Sequence, residues 1–144
     1  MVERLPDDLR QAIDVVVGPA MGAVLVSYES ARALGVRSLF TERQEGQMVL
    51  RRGFRLRPGE KVLVVEDVIT TGGSTRECIR GIEAAGGDVI AVASLVDRSG
   101  GAADFAEIPF HPLIRLSVQT WEADACPLCA KGSTPVKPGS RGLK

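Results

Sequence analysis

A chain of 144 residues with 44% hydrophobic residues has the length and apolar content of a single globular domain with a buried core. Eighteen Lys and Arg balance 18 Asp and Glu, so no net field draws the whole molecule to nucleic acid or an anionic membrane, and neither is expected as a partner. Three cysteines, an odd number, argue against a disulfide scaffold and for a reducing, cytoplasmic setting.

The opening stretch, MVERLPDDLRQAIDVVVG, has neither a long apolar run nor a cleavage pattern, so no signal peptide is expected. No apolar segment approaches membrane-spanning length. Ile13–Val17 is a short apolar run, followed by GPAMG. Met21–Leu34 reads as a helix with Gly35 as its stop, and Arg37–Thr41 as a second strand. Residues 42–61 carry Arg43, Arg51, Arg52, Arg55, Arg57 and Lys61 against three glutamates. Met48, Leu50, Phe54 and Leu56 make this stretch compatible with a twisted β-ribbon that has a solvated basic face. Val62–Val65 is apolar throughout, as a parallel strand covered on both faces requires, and the run ends at Glu66 and Asp67. The pattern STRE, Ser74 to Glu77, predicts a capping box opening a helix that runs to about Ala85, with Gly86 and Gly87 ending it. Val89–Val96 is another buried strand, ending in Asp97 and Arg98, and Leu113–Val118 is a candidate last strand. Strands alternating with helices predict βαβ units, hence an α/β fold around a mainly parallel sheet. Residues 1–129 are expected to form the domain, and the Gly/Pro/Ser-rich basic segment from Ala130 a flexible tail.

The segment VLVVEDVITTGGS, Val62 to Ser74, carries the chemistry. In a parallel α/β sheet, ligands bind beyond the carboxyl ends of the strands. Thr70, Thr71 and Ser74 offer hydroxyls there, Gly72 and Gly73 let backbone N–H groups approach closely, and a helix N-terminus adds partial positive charge. That combination predicts a phosphate cradle. Glu66 and Asp67 would repel a phosphate, so they are expected to face sugar hydroxyls, a metal or a developing cation. Phosphate on one side and acids on the other suggest a phosphorylated sugar. The plainer alternative is an ordinary strand–turn–helix corner with surface acids.

The same residues resemble the phosphoribosyl-pyrophosphate (PRPP) signature of type I phosphoribosyltransferases: hydrophobic residues, two acids, more hydrophobics, then Thr-Thr-Gly. VVVGPAMGA, Val15 to Ala23, lies where that family places its pyrophosphate loop, and LVDRSGG and ACPLC follow in order. The set is most similar to the orotate phosphoribosyltransferases. The resemblance implies the type I fold, with a mobile catalytic loop or β-ribbon over residues 42–61. It implies that Glu66 and Asp67 hold the ribose hydroxyls and steady the transition state. Val68, Ile69, Thr70, Thr71, Gly72, Gly73 and Ser74 would bind the rest of the PRPP sugar phosphate, Thr70 and Arg98 would contact orotate, and Pro19, Ala20, Met21 and Gly22 would form the pyrophosphate loop. Arg43, Arg51 and Arg52 would meet the leaving pyrophosphate, with Arg43 the catalytic choice. Magnesium would arrive on PRPP with no protein metal site, and a homodimer would share the loop between subunits. A purine-specific enzyme and a PRPP-sensing regulator on the same fold are the alternatives.

The chain also departs from the family pattern. Residues 42–60 hold no lysine or histidine, so arginines would serve there, and Gly22 stands where many members have lysine. The family carries a longer segment ahead of the first strand, part of a hood over the base, so a piece of a longer protein is one expectation for this chain. For Arg98 the plainer reading is a salt bridge with Asp97 or a neighbour. CPLC, Cys126 to Cys129, is a lone CxxC that would need two further ligands for zinc, and His111 with Cys78 would be a forced choice. His111, Phe110 and Trp121 are expected in structural roles.

Overall fold

In the computed structural model, residues 1–134 and 136 are described, so the expected tail falls largely outside them. A short 3₁₀ turn, Val2–Arg4, and helix α1, Asp7–Ala12, lead into β1, Val15–Pro19. Helix α2, Ala23–Leu34, ends at Gly35 in the left-handed region (φ 72°), the stop expected from the sequence. Strands β2, Arg37–Gln44, and β3, Gln47–Leu50, form an antiparallel hairpin around Glu45 and Gly46, both at positive φ (51° and 84°). The ribbon reading of this basic segment is therefore realised up to Leu50. Strand β4, Lys61–Ile69, helix α3, Gly73–Ala84, and strands β5, Asp88–Asp97, and β6, Phe110–Arg115, follow. A short helix α4, Pro127–Ala130, comes last.

The six strands form one sheet in the order β3-β2-β1-β4-β5-β6, parallel except for β3. Side chains alternate across it. Val62 and Val64 of β4 pack with Cys78, Ile79 and Ile82 of α3. Leu63 and Val65 face the other way, with Ala31 of α2 and with Val2, Leu5 and Ile13. Both faces are thus covered, which is why Val62–Val65 carries no polar residue.

Several boundaries differ from the sequence expectation: β1 runs to Pro19 rather than Val17, α2 starts at Ala23 rather than Met21 and β2 reaches Gln44 rather than Thr41, and three further differences concern β4, α3 and β6. β4 does not stop at the acids: β5 continues alongside to Asp97, so Glu66 pairs in register with Ser94, Val68 with Val96 and Ile69 with Asp97. Helix α3 starts one residue before Ser74, with left-handed Gly72 at its N-cap and no side-chain cap, so the Ser74–Glu77 capping box does not form. Its Glu77 instead pairs with Arg43 across from the hairpin. β6 lies three residues earlier than expected, because its register follows β5: Val92 pairs with Phe110 and Ser94 with Pro112. As an edge strand β6 tolerates that proline.

Arg37 and Glu60 brace the sheet below the hairpin. Burial pushes the Glu60 carboxyl up, but the Arg57 amide (2.9 Å) and the Arg37 guanidinium outweigh it and hold the group below its usual value.

Candidate active site

Topology selects the site before any side chain does. β1 feeds α2 and then β2 on one side, while β4 feeds α3 and then β5 on the other, so the connections diverge between β1 and β4. Such a switch point opens a crevice at the carboxyl ends of the strands. Here the crevice is visible in the register: β1 pairs with β4 only as far as Val17 with Val64. Beyond that pair the chain of β1 turns away through Pro19, Ala20, Met21 and Gly22, with a cis peptide between Ala20 and Met21. β4 runs on through Glu66 and Asp67. The Ala20 amide donates to the Thr41 carbonyl (2.8 Å), which fixes the loop's departure from the sheet.

The two acids lie on opposite faces of β4, as period-2 alternation requires. Asp67 shares the α2 side. A Cβ placed on Gly22 would stand 2.5 Å from its Oδ2, so the loop backbone lies directly against this carboxylate. One Asp67 oxygen also accepts the Val68 amide (2.7 Å). Glu66 shares the α3 side and is only 8% exposed. Burial first, and the nearby Asp67 charge second, push its carboxyl up from 4.5 to about 7. Buried Cys78, which Thr41 Oγ1 approaches at 3.3 Å, is pushed up to about 12 by burial and stays a thiol. The sequence reading set both acids toward one ligand; the structure sends their side chains to the two sides of β4, as the alternation already present in the sequence requires.

Glu66, Val68, Ile69, Thr70, Thr71, Gly72, Gly73, Ser74 and Thr75 enclose a small cavity of about 60 Å³. Thr71 Oγ1 accepts the Gly73 amide (3.4 Å), and no side chain caps α3. The first-turn N–H groups of a 12-residue helix thus border this cavity. A Glu66 that is partly protonated near neutral pH repels an anion there less than a full carboxylate would.

Thr70 and Arg98 emerge side by side. Their preceding residues, Ile69 and Asp97, pair in register, and the Arg98 amide donates to the Ile69 carbonyl (2.7 Å). The plainer alternative for Arg98, a salt bridge with Asp97, is not formed. Buried Asp97 instead accepts Ser99 N (2.8 Å) and Oγ (2.6 Å), and Arg115 Nε lies 3.6 Å from it. The Arg98 side chain is exposed and makes no ion pair among the described residues. Of the loop arginines, Arg43 pairs with Glu77, Arg52 pairs with Glu42 (2.8 Å), and Arg51 is exposed. Phe110 packs against Phe105 in the core, whereas Trp121 is 45% exposed. No three His, Cys, Asp or Glu gather as a metal site among the described residues.

Comparison with known proteins bears on this arrangement. A family described as "Phosphoribosyl transferase domain" matches residues 1–109. The chain is 71% identical over 143 residues to an orotate phosphoribosyltransferase of Acidithiobacillus ferrooxidans, covering 99% of this chain and 73% of that protein. It is 55% identical over 141 residues to that of Carboxydothermus hydrogenoformans, with 98% and 73% coverage. The chain therefore spans about three quarters of the length of these two relatives. Among solved structures it resembles adenine phosphoribosyltransferase from Trypanosoma brucei, at TM-score 0.62 and 22% identity over 94% of this chain and 70% of that one; this likeness speaks to the fold alone. It also resembles orotate phosphoribosyltransferase from Aeropyrum pernix, at TM-score 0.55 and 25% identity over 75% of this chain and 62% of that one.

Proposed function

Because the chain belongs to the phosphoribosyltransferase family and, within it, to the orotate phosphoribosyltransferases, we propose that it joins orotate to the ribose 5-phosphate of PRPP, releasing orotidine 5′-monophosphate and pyrophosphate in pyrimidine biosynthesis. The observation that carries the choice of base is 71% identity over nearly the whole chain. The β1/β4 crevice supports the chemistry.

In this reading the 5-phosphate sits in the cavity formed by residues 70–74, held by hydroxyls, backbone N–H groups and the α3 dipole. Glu66 and Asp67 reach the ribose from the two sides of β4, with Val68 and Ile69 completing the strand end. The base nitrogen attacks the anomeric carbon as the bond to pyrophosphate breaks. Positive charge develops on the ribose, and the carboxylates stabilise it. Proline 19 to glycine 22 receive the pyrophosphate through their backbone. Gly22 lets the loop backbone lie directly against Asp67, where a Cβ would require the carboxylate to swing aside. Arg43, Arg51 and Arg52 draw off the leaving charge once the surface pairs with Glu77 and Glu42 are exchanged for phosphate. Arg98 and Thr70 hold orotate, the planar guanidinium facing its carboxylate.

A magnesium ion would be held mainly by the substrate phosphates, with Asp67 the carboxylate beside the pyrophosphate loop. When bound, magnesium supplies neutralisation of the pyrophosphate charge. No helix among the described residues is long and apolar enough to cross a membrane; a cytoplasmic location goes with the reading of the chain as an enzyme of pyrimidine biosynthesis. Met21, Leu25 and Tyr28, 83%, 75% and 57% exposed, make an apolar stripe beside the pyrophosphate loop; it supports a homodimer whose subunits share the residue 42–61 segment.

Measuring PRPP-dependent turnover of the purified chain with orotate, adenine and hypoxanthine in competition tests the base assignment. Orotate should be consumed and the purines left. Turnover of a purine in preference to orotate would transfer the chain to the purine-specific alternative.

A further inference from the structure

We propose that Arg76 is a positioning residue for the phosphate-binding turn, holding the Thr71–Gly72 peptide so that its N–H faces the cavity; this rests on the phosphate reading of residues 70–74. Arg76 lies in the first turns of α3, and its side chain folds back toward the helix start. Its Nη2 donates to the Thr71 carbonyl and its Nη1 to the Asp104 carbonyl (3.0 Å). The guanidinium stands 5.9 Å over the ring of Phe105, which is 5% exposed and packs edge-on against Phe110 at 5.3 Å. The arginine is therefore fixed at three points, one of them anchored in the core.

The consequence follows from peptide geometry. In a trans peptide the C=O and N–H point in opposite directions. With the Thr71 oxygen tied to Arg76, the Gly72 N–H is turned to the opposite side, that of the cavity. Nothing intrinsic to the turn secures this orientation, since glycine accepts either sign of φ and the peptide could flip. A flipped peptide would present a carbonyl oxygen to an anion. Gly72 (φ 74°) is also lodged closely: a Cβ there would meet Arg76 Nη1 at 3.1 Å and the Phe105 ring at 3.2 Å. Arg76 and Phe105 thus form the floor that selects one of two turn conformations.

The test is calorimetry on the 144-residue chain in magnesium buffer, with ribose 5-phosphate and pyrophosphate as separate probes. Arg76→Met keeps an aliphatic stem over Phe105 and removes both donated hydrogen bonds. It should weaken ribose 5-phosphate roughly tenfold, the scale of a lost charge-assisted hydrogen bond, while pyrophosphate affinity stays within about twofold. Arg76→Lys, able to reach one carbonyl, should fall between; it carries the same comparison if melting shows Arg76→Met to be unfolded. Unchanged ribose 5-phosphate affinity would overturn the inference alone, and so would a parallel loss for both probes, which marks a general structural role. Failure of the unsubstituted chain to bind ribose 5-phosphate would remove the phosphate reading and the inference with it.

Discussion

Replacing Glu66 by glutamine should change how stability depends on pH, and the size of the change follows from the site. The Glu66 carboxyl is buried in the fold and raised from 4.5 to about 7, first by burial and then by Asp67. Between those two values the folded chain holds a proton that the unfolded chain releases. Stability therefore falls as pH rises through this window and is level above it. The full shift corresponds to about 3 kcal/mol. The site mouth is open to water, and Glu66 lines a cavity there, so about 2 kcal/mol is the expected observable part after screening. Glu66→Gln removes this titration while keeping shape. Urea or thermal unfolding of both proteins at pH 5 and at pH 8.5 isolates it, because every other group cancels in the difference. Relative to the unsubstituted chain, Glu66→Gln should gain about 2 kcal/mol between the two pH values, or roughly 4–8 °C in Tm. Parallel stability–pH curves for the two proteins would refute the idea that a carboxyl with this history is buried at the end of β4. Substrate-dependent turnover should fall in the same variant, because a neutral amide cannot stabilise developing positive charge.

Other perturbations probe separate parts of the crevice. Gly22→Ala would put a methyl 2.5 Å from Asp67 Oδ2, so the loop or the carboxylate must move; the KM for PRPP should rise at least about tenfold with little change in Tm, checked by steady-state kinetics and melting. Gly81→Ala would set a Cβ 2.1 Å from the Met48 carbonyl, where α3 meets the hairpin, and denaturant unfolding should show a loss of roughly 1–3 kcal/mol. Arg98→Ala should raise the Kd for orotate by at least about tenfold while that for PRPP barely moves, since Arg98 leaves β5 beside Thr70 and away from residues 71–74; an equal loss for both ligands would assign Arg98 to general support of the site.

What could be read from the sequence was local. Val62–Val65 declared a strand covered on both faces because every position is apolar, and the Thr/Gly/Ser run declared a turn into a helix, the corner on which the phosphate proposal rests. The end of β4 was hidden because two acids interrupt the apolar run, yet the strand continues for a reason that lies elsewhere: β5 offers partners as far as Asp97. The Ser74–Glu77 pattern failed for a similar reason. Glu77 has a stronger partner in Arg43, 34 residues earlier, and left-handed Gly72 starts the helix without a side-chain cap. The N-terminal turn and α1 left no periodic signal, because their burial rests on isolated residues, Val2, Leu5 and Ile13, against the α2 face.

The site shows the same division between local and distant causes. The residues that line the crevice could be named from the sequence, but two contacts that join its parts could not. Gly22 against Asp67 joins the loop after β1 to the end of β4, and Arg76 joins the turn at Thr71 to Phe105; both are made by the fold, across 45 and 29 positions of sequence. A motif therefore specifies which groups can meet a ligand, while distant glycines and a core aromatic ring specify the geometry in which they meet it. That division bears on Gly22, which departs from the family's common lysine. A Cβ at this position would meet only the tip of the Asp67 side chain, so a larger residue here requires that carboxylate to swing aside.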